Sequence, residues 1–327
     1  MKVTIVGAGL AAATAAATLK EKGHDIQVFE CRPHIAGNCF DSSIKGIQVH
    51  NYGPHAFHTD QQYVWDFVNK YAAFNNFKHT AIARLRNDKV IPIPYNLVSQ
   101  DIVGAWSSEE ILEQLFVDYS EKHWGIPFDK LPKSISGRVP KKRNDRNPYY
   151  HTDEFQGVPI GGYTQFITNM FDGCEVHLGC DPDEWKKYPY DLLIYTGSID
   201  QYYDYCYGPL TYRSLRFEIF EDQRTHWVQL NECNKSVKHT RTVDHSHWYD
   251  QDVKKSVFTR EFPEEFSLNN PTTERFYPKP FESQEVYNKY KELPKNNVLF
   301  LGRLGTYKYL DMDDCIKQAL TVLKRYD

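Results

Sequence analysis

Four residues near the start of the chain, Gly7, Gly9, Ala12 and Glu30, have the types and spacing of a dinucleotide cradle. The first glycine permits the backbone conformation of a tight strand-to-helix turn. The second leaves no side chain where a pyrophosphate would approach the first amides of a helix. Ala12 stands at the third, tolerant position. Glu30 lies about twenty residues past the glycines, where a carboxylate accepts hydrogen bonds from an adenosine ribose. The loop from Glu30 to Asn38, with Arg32 and Gly37 inside it, is placed to wrap a second part of the cofactor. Near the other end, an apolar run meets Gly302-Arg303, and Asp311 precedes a helical pattern. Free amides at such a helix start suit an electron-rich ring, which favours FAD over NAD. His55 and His58 stand three apart beside a Gly-Pro turn, a pair that by itself reads as structural.

These groups converge only if the chain folds to bring them together. Val3, Ile5 and Val6 read as a buried parallel strand, and Ile26 to Phe29 as a second. Between them, Ala11 to Lys20 is an alanine-rich helix able to lie close to a sheet. Further helices are expected over Gln62 to Lys70, through much of 96 to 124, over Thr164 to Phe171, and from Asp311 to about Arg325. Strands are expected over 81–85, 89–93, Glu175 to Leu178, within Asp191 to Thr196, through 212–262 and before Gly302. The pattern is α/β: a discontinuous Rossmann-like FAD-binding domain over 1–80, 155–212 and 296–327, with a small helical part over 96–135 and a loop to about 150. An antiparallel β-sheet domain over 81–95 and 212–295 completes it.

Composition narrows the function. A chain of 327 residues with formal charge −4 has no basic excess, and Lys141 to Arg146 is a local cluster, so nucleic acid is not an expected partner. Seven cysteines form no CxxC pair, and neither a secretory leader nor a run long enough to span a membrane is read, which fits a reduced, cytoplasmic setting. His245 and His247 are explained by alternate positions on a strand, and no metal site is expected. Aromatic residues make up 15%, with 23 tyrosines, many beside Gly, Arg or Asn, as in a cleft that stacks rings.

Several segments carry a resemblance. GAGLAAA at 7–13, ECRPHIAGN at 30–38, GIQVHNYGPHAFHT at 46–59, YSEKHWG at 119–125, FQGVPIGGY at 155–163, YRSLRFE at 212–218 and GRLGTYKYLDM at 302–312 resemble the bacterial UDP-galactopyranose mutases. That resemblance implies a non-redox isomerase in which reduced FAD attacks the anomeric carbon through N5 and releases UDP. It implies Tyr119 and Trp124 as flat faces for uracil or sugar, and Tyr277 and Tyr309 as hydroxyls on the diphosphate. Arg241 would pair with the diphosphate, Arg213 and Arg303 would lie near flavin and diphosphate, and Met312 would border the flavin. Asn231, Glu261 and Asp311 complete the pocket, and His55 and His58 would flank the isoalloxazine.

Departures from the family bear on the substrate. Pro92 stands where an Asn is usual on the sugar side, and Phe155 replaces a Tyr that contacts the phosphates. Arg138-Val139-Pro140-Lys141-Lys142-Arg143 leaves the loop cation open between Lys142 and Arg143. The helical insert is several tens of residues shorter than usual, which points to a monomer or a non-typical dimer. Another sugar nucleotide, such as UDP-N-acetylgalactosamine or a modified hexose or heptose, is an alternative. So are an amine-oxidase-like flavin oxidoreductase and a binder that has lost catalysis.

Overall fold

The computed structural model describes residues 1–136 and 142–326. The first β-branched run forms the strand Lys2–Val6, and the alanine-rich segment forms the helix Leu10–Glu21. Ala12, Ala13, Ala15 and Ala16 are wholly buried, because small side chains let this helix lie close to the sheet and to the helix Met312–Leu323. The sheet is all-parallel, in the order Val298–Phe300, Leu192–Tyr195, Lys2–Val6, Asp25–Glu30, Glu175–Leu178. Ile194 packs into the cluster on the helix side and Leu193 into a second cluster on the opposite face. Such continuous apolar strands are what a parallel sheet covered on both faces needs.

A second sheet has seven strands in the order Tyr277–Pro278, Tyr212–Gln223, Lys255–Glu265, Arg241–Asp244, Gln229–Glu232, Ala81–Arg84, Val90–Ile93. The expected antiparallel sheet is corrected at one pair, since Ala81–Arg84 and Gln229–Glu232 run parallel. The chain enters this sheet twice, far apart in sequence, and no hairpin joins those two strands to impose opposite directions.

Short helices Leu97–Val103 and Ser108–Leu112 are started by reciprocal capping boxes at Asn96 and Ser107. The helix Asp118–Trp124 follows through a π turn, Glu113–Val117. His245 and His247, expected on a strand, lie in the 3₁₀ turn His245–Tyr249, started by Asp244 accepting from Ser246 N at 3.1 Å. His245 is a core histidine bonded to Thr259 Oγ1 (2.9 Å) and Trp248 Nε1 (2.8 Å). No described helix is long and apolar enough to cross a membrane.

Candidate active site

Beyond the carboxyl ends of the parallel strands lies a cleft with about 1360 Å³ of free space. Gly7, Gly9 and the first turn of the helix Leu10–Glu21 form one wall, and that turn has neither a side-chain cap nor an acidic residue. Its amides and the positive end of the helix dipole are therefore available to an anion. Gly7 has φ +97°, and a Cβ there would fall 2.2 Å from Thr196 Oγ1. Gly37, at φ +54°, comes so near Gly9 that its Cβ would lie 3.0 Å from Gly9 Cα. At both contacts the chain has room for bare backbone only.

Glu30 Oε2 accepts from Ala8 N at 2.7 Å and Oε1 from Arg32 N at 2.9 Å, so its carboxylate is fixed beside the turn. Arg32 donates to Asn38 Oδ1 at 3.1 and 3.2 Å and pairs with Glu274, which holds the loop against the cleft. Glu30, Arg32, Gly37 and Asn38 all line the space. Ala12 does not: it is fully buried in helix–sheet packing. Thr196, Gln201 and Arg275 line it unforeseen, brought in by the segment after Leu192–Tyr195 and by the second sheet.

A second cavity, with about 1850 Å³ of free space, adjoins the first. His55, Phe276, Arg303 and Met312 line both. His55 Nδ1 is 2.8 Å from the Gly53 carbonyl, so Nδ1 carries the proton and Nε2 is the acceptor. Burial, and next the Arg303 charge, pull its pKa down to about 4. Arg143, Arg241 and Arg303 bring three guanidinium groups to this cavity, with Tyr119, Tyr150, Tyr277, Tyr309 and Asn231 around them. Arg303 lies over the rings of Tyr277 and Tyr309 at 5.3 and 5.1 Å, and those rings stack at 5.2 Å. The arrangement suits an elongated polyanion with a flat group. Asp311 starts the helix Met312–Leu323 through a capping box with Asp314 and faces this second cavity alone.

The structure moves several expected contacts elsewhere. His58 lines the second cavity only, with Nδ1 3.2 Å from Asp153 Oδ2 and its ring on His151 at 3.7 Å. Pairing of Phe57–Thr59 with Phe155–Gly157 draws it to that side, whereas His55 in the preceding turn stays at the junction. Arg213 is 4% exposed and donates Nε to the His123 carbonyl at 2.8 Å and Nη2 to the Lys122 carbonyl at 3.0 Å. It anchors a helix end and lines neither cavity. Trp124 packs behind Tyr277 and Tyr309, at 6.0 and 6.1 Å. Glu261 is buried, 2.7 Å from Arg241 Nη2, and positions that guanidinium instead of lining the cavity. Phe155 stacks on Trp65 at 5.5 Å, away from the cavity.

Lys142 turns outward to the Trp106 carbonyl at 3.3 Å, so Arg143 is the cation of that pair that lines the cavity. Arg138 and Lys141 lie outside the described residues. Pro92 is on the edge strand Val90–Ile93, where a missing N–H is tolerated, and does not line the cavity.

His79, Tyr150, His151, Asp153 and Gln229 line it without having been singled out. The alternation His79, Ala81, Ala83 beside Gln229, Asn231, Cys233 was the available signal. Lys122 is a further positioning residue: its Nζ lies within hydrogen-bond distance of the carbonyls of Glu232 (2.7 Å), Asn234, Val237 and His239 (each 3.0 Å) and shares its three protons among them. This ties the helix bearing Tyr119 to the strand bearing Asn231.

Comparison with known proteins adds to this geometry. The profile of a family described as UDP-galactopyranose mutase matches residues 114–309, and that of an NAD(P)-binding Rossmann-like domain matches residues 5–71. The chain is 32% identical to a dTDP-fucopyranose mutase of Escherichia coli, covering 99% of this chain and 98% of that one. That alignment spans 376 positions, more than the 327 residues here, so the relative carries segments this chain lacks. It is also 32% identical to a "Probable UDP-galactopyranose mutase" of Klebsiella pneumoniae, over 97% of this chain and 92% of that one. A crystal structure of reduced UDP-galactopyranose mutase shares the fold, with TM-score 0.77, 16% identity, and coverage of 99% and 95%.

Proposed function

Since the chain belongs to the UDP-galactopyranose mutase family, we propose that it interconverts the pyranose and furanose forms of a nucleoside-diphosphate hexose without net redox change. The observation that carries this reading is the junction of the two cavities at His55, Phe276, Arg303 and Met312. One cavity fits a dinucleotide such as FAD, because Gly7, Gly9 and Gly37 line it with bare backbone beside an uncapped helix start. Glu30, Asn38 and the amides after Gly9 would hold it. When bound and reduced, FAD supplies a nucleophilic nitrogen for the anomeric carbon.

The chain's own residues do the rest. Arg241, Arg143 and Arg303 stabilise charge on the departing diphosphate and hold it for return, and the hydroxyls of Tyr150, Tyr277 and Tyr309 donate to its oxygens. His55 remains neutral at physiological pH, and its Nε2 accepts a proton from a group at the junction and gives it back. The aromatic and apolar walls exclude water that would otherwise hydrolyse the sugar. UDP-galactopyranose is the first substrate proposed. A second reading, dTDP-fucopyranose, is supported by the apolar far end of the cavity, where Ala83, Ile93, Leu115 and Cys233 would accept a thymine methyl.

The test is chromatography of each sugar nucleotide after incubation with enzyme and FAD, oxidised or dithionite-reduced. Ring contraction only with reduced flavin, and no consumption of reductant, is expected for one of the two. Stoichiometric flavin oxidation or reduction by the sugar nucleotide would make the protein an oxidoreductase instead.

A further inference from the structure

The second cavity is graded in polarity along two neighbouring parallel strands. Register pairs Gln229 with Ala81 and Asn231 with Ala83, so one face carries His79, Ala81 and Ala83 beside Gln229, Asn231 and Cys233. His58, His79, His151 and Gln229 lie at the start of this face. Arg241, paired in register with Asn231, stands beside its middle. At the far end Cys233 donates to the Leu115 carbonyl at 3.3 Å, and Leu115 and Phe116 form an apolar wall. Four residues of strand separate the ends, roughly 13 Å. A nucleoside-diphosphate hexose has the same order of groups: hydroxyls, phosphates, flat base.

His79 is the unexplained group in that series. It is 7% exposed, and neither ring nitrogen has a hydrogen-bond partner among the described residues. Gln229 stands near it with its own Oε1 unbonded, and a bond between the two would still leave one imidazole nitrogen open. Burial first, then the charges of Arg241 and His58, push its pKa down to about 3, so the ring is neutral and offers one donor and one acceptor. A sugar hydroxyl is also both donor and acceptor. A buried polar group without partners is costly to the free protein and is expected to persist where a ligand completes it.

The same region offers a competing chemistry, since ligand atoms of His58, His151 and Asp153 lie within 4.8 Å of one another. However, the His58 and His151 rings stack at 3.7 Å and 16°. Lone pairs in nearly parallel ring planes do not converge on one ion.

Resting on the mutase reading, we propose that His79 is a specificity-determining residue for the sugar, a ring nitrogen left open by Gln229 pairing with a hydroxyl of the hexose while His58 and His151 wall that end of the cavity. The test compares wild type, His79→Leu and His79→Asn in calorimetric binding of UDP and UDP-galactose, with dTDP and dTDP-fucose in parallel, and in thermal denaturation without ligand. His79→Leu is expected to melt at or above the wild-type temperature and to bind the sugar nucleotide about tenfold more weakly, with nucleoside diphosphate affinity within about twofold of wild type. His79→Asn, which keeps a donor and an acceptor, is expected to restore part of the difference.

Equal weakening towards nucleotide and sugar nucleotide, or no weakening towards either, would overturn the assignment. A lower melting temperature for His79→Leu together with unchanged sugar-nucleotide discrimination would make the residue structural. Stabilisation of the wild type by zinc or nickel that is lost in His151→Ala would make the cluster a metal site. Failure of the mutase reading has a different signature: the wild type itself would bind neither sugar nucleotide.

Discussion

Replacing Glu261 by Gln keeps the shape of a buried side chain and its hydrogen bond from Thr240 Oγ1 (3.0 Å), but removes the charge 2.7 Å from Arg241 Nη2. Removing one partner of a buried ion pair typically costs about 3–5 kcal/mol. The Arg241 side chain is 18% exposed and opens into a cavity, so water relieves part of that loss and the lower end, about 3 kcal/mol, is expected. For a chain of 327 residues that is a fall of roughly 4 °C in melting temperature. A bound nucleoside diphosphate would bring the missing negative charge back to the same guanidinium. A ligand at about 100 times its Kd stabilises the folded protein that binds it by about 2.7 kcal/mol, and with UDP the increment should be larger in Glu261→Gln at equal concentration, because Arg241 no longer shares its charge. Differential scanning fluorimetry with and without UDP reads both terms. The reasoning fails if the variant melts with the wild type, or if UDP stabilises it less.

Three more outcomes are expected. Gly37→Ala must place an alanine at φ +54° with its Cβ 3.0 Å from Gly9 Cα; with about 1–2 kcal/mol of backbone strain, flavin affinity should fall about tenfold or more, read from the ratio of 450 nm to 280 nm absorbance after purification. Arg143→Ala should weaken UDP binding at least about tenfold and Lys142→Ala by less than about twofold, and the reverse order would show that the outward-facing lysine closes on the ligand. Acid should destabilise the fold early, because burial depresses His55 to about 4, His79 and His123 to about 3, and His151 to about 2. The unfolded chain then binds more protons below pH 6.5, so stability present above that value is lost as pH falls, by about 1.4 kcal/mol per imidazole at pH 5.5. Urea midpoints that agree at pH 7.5 and 5.5 would refute it.

The dinucleotide half of the site was legible because each of its parts is local. A glycine turn, a helix start and a carboxylate at the next strand end are fixed by a few residues of neighbouring chain, and Gly7, Gly9, Glu30, Gly37 and Asn38 all line the cleft. The second cavity is built by strands that meet only in the folded chain, and residue type alone could not say which side of a sheet or helix each would face. Arg213 and Trp124 are of a kind that binds ligands, yet one holds carbonyls at a helix end and the other backs two tyrosines. His79 drew no notice because its burial beside Gln229 arises only where two strands distant in sequence meet. The parallel pairing of Ala81–Arg84 with Gln229–Glu232 was equally hidden, since alternation reads the same in either direction.

Lys122 serves as a built-in ion. Its ammonium lies among four carbonyl oxygens of the 232–239 segment, a setting in which other proteins place a bound cation. The ligand cage here is filled by the chain itself, so its order owes nothing to calcium, chelators or the metal content of the medium. It also joins stacking and charge recognition into one mechanical unit. Tyr119 on the helix and Arg241 on the strand beside the cage are coupled through it, and their separation is set before any nucleotide arrives. Loosening of that unit should therefore abolish recognition of base and phosphate together, as a single step, and leave the flavin in place.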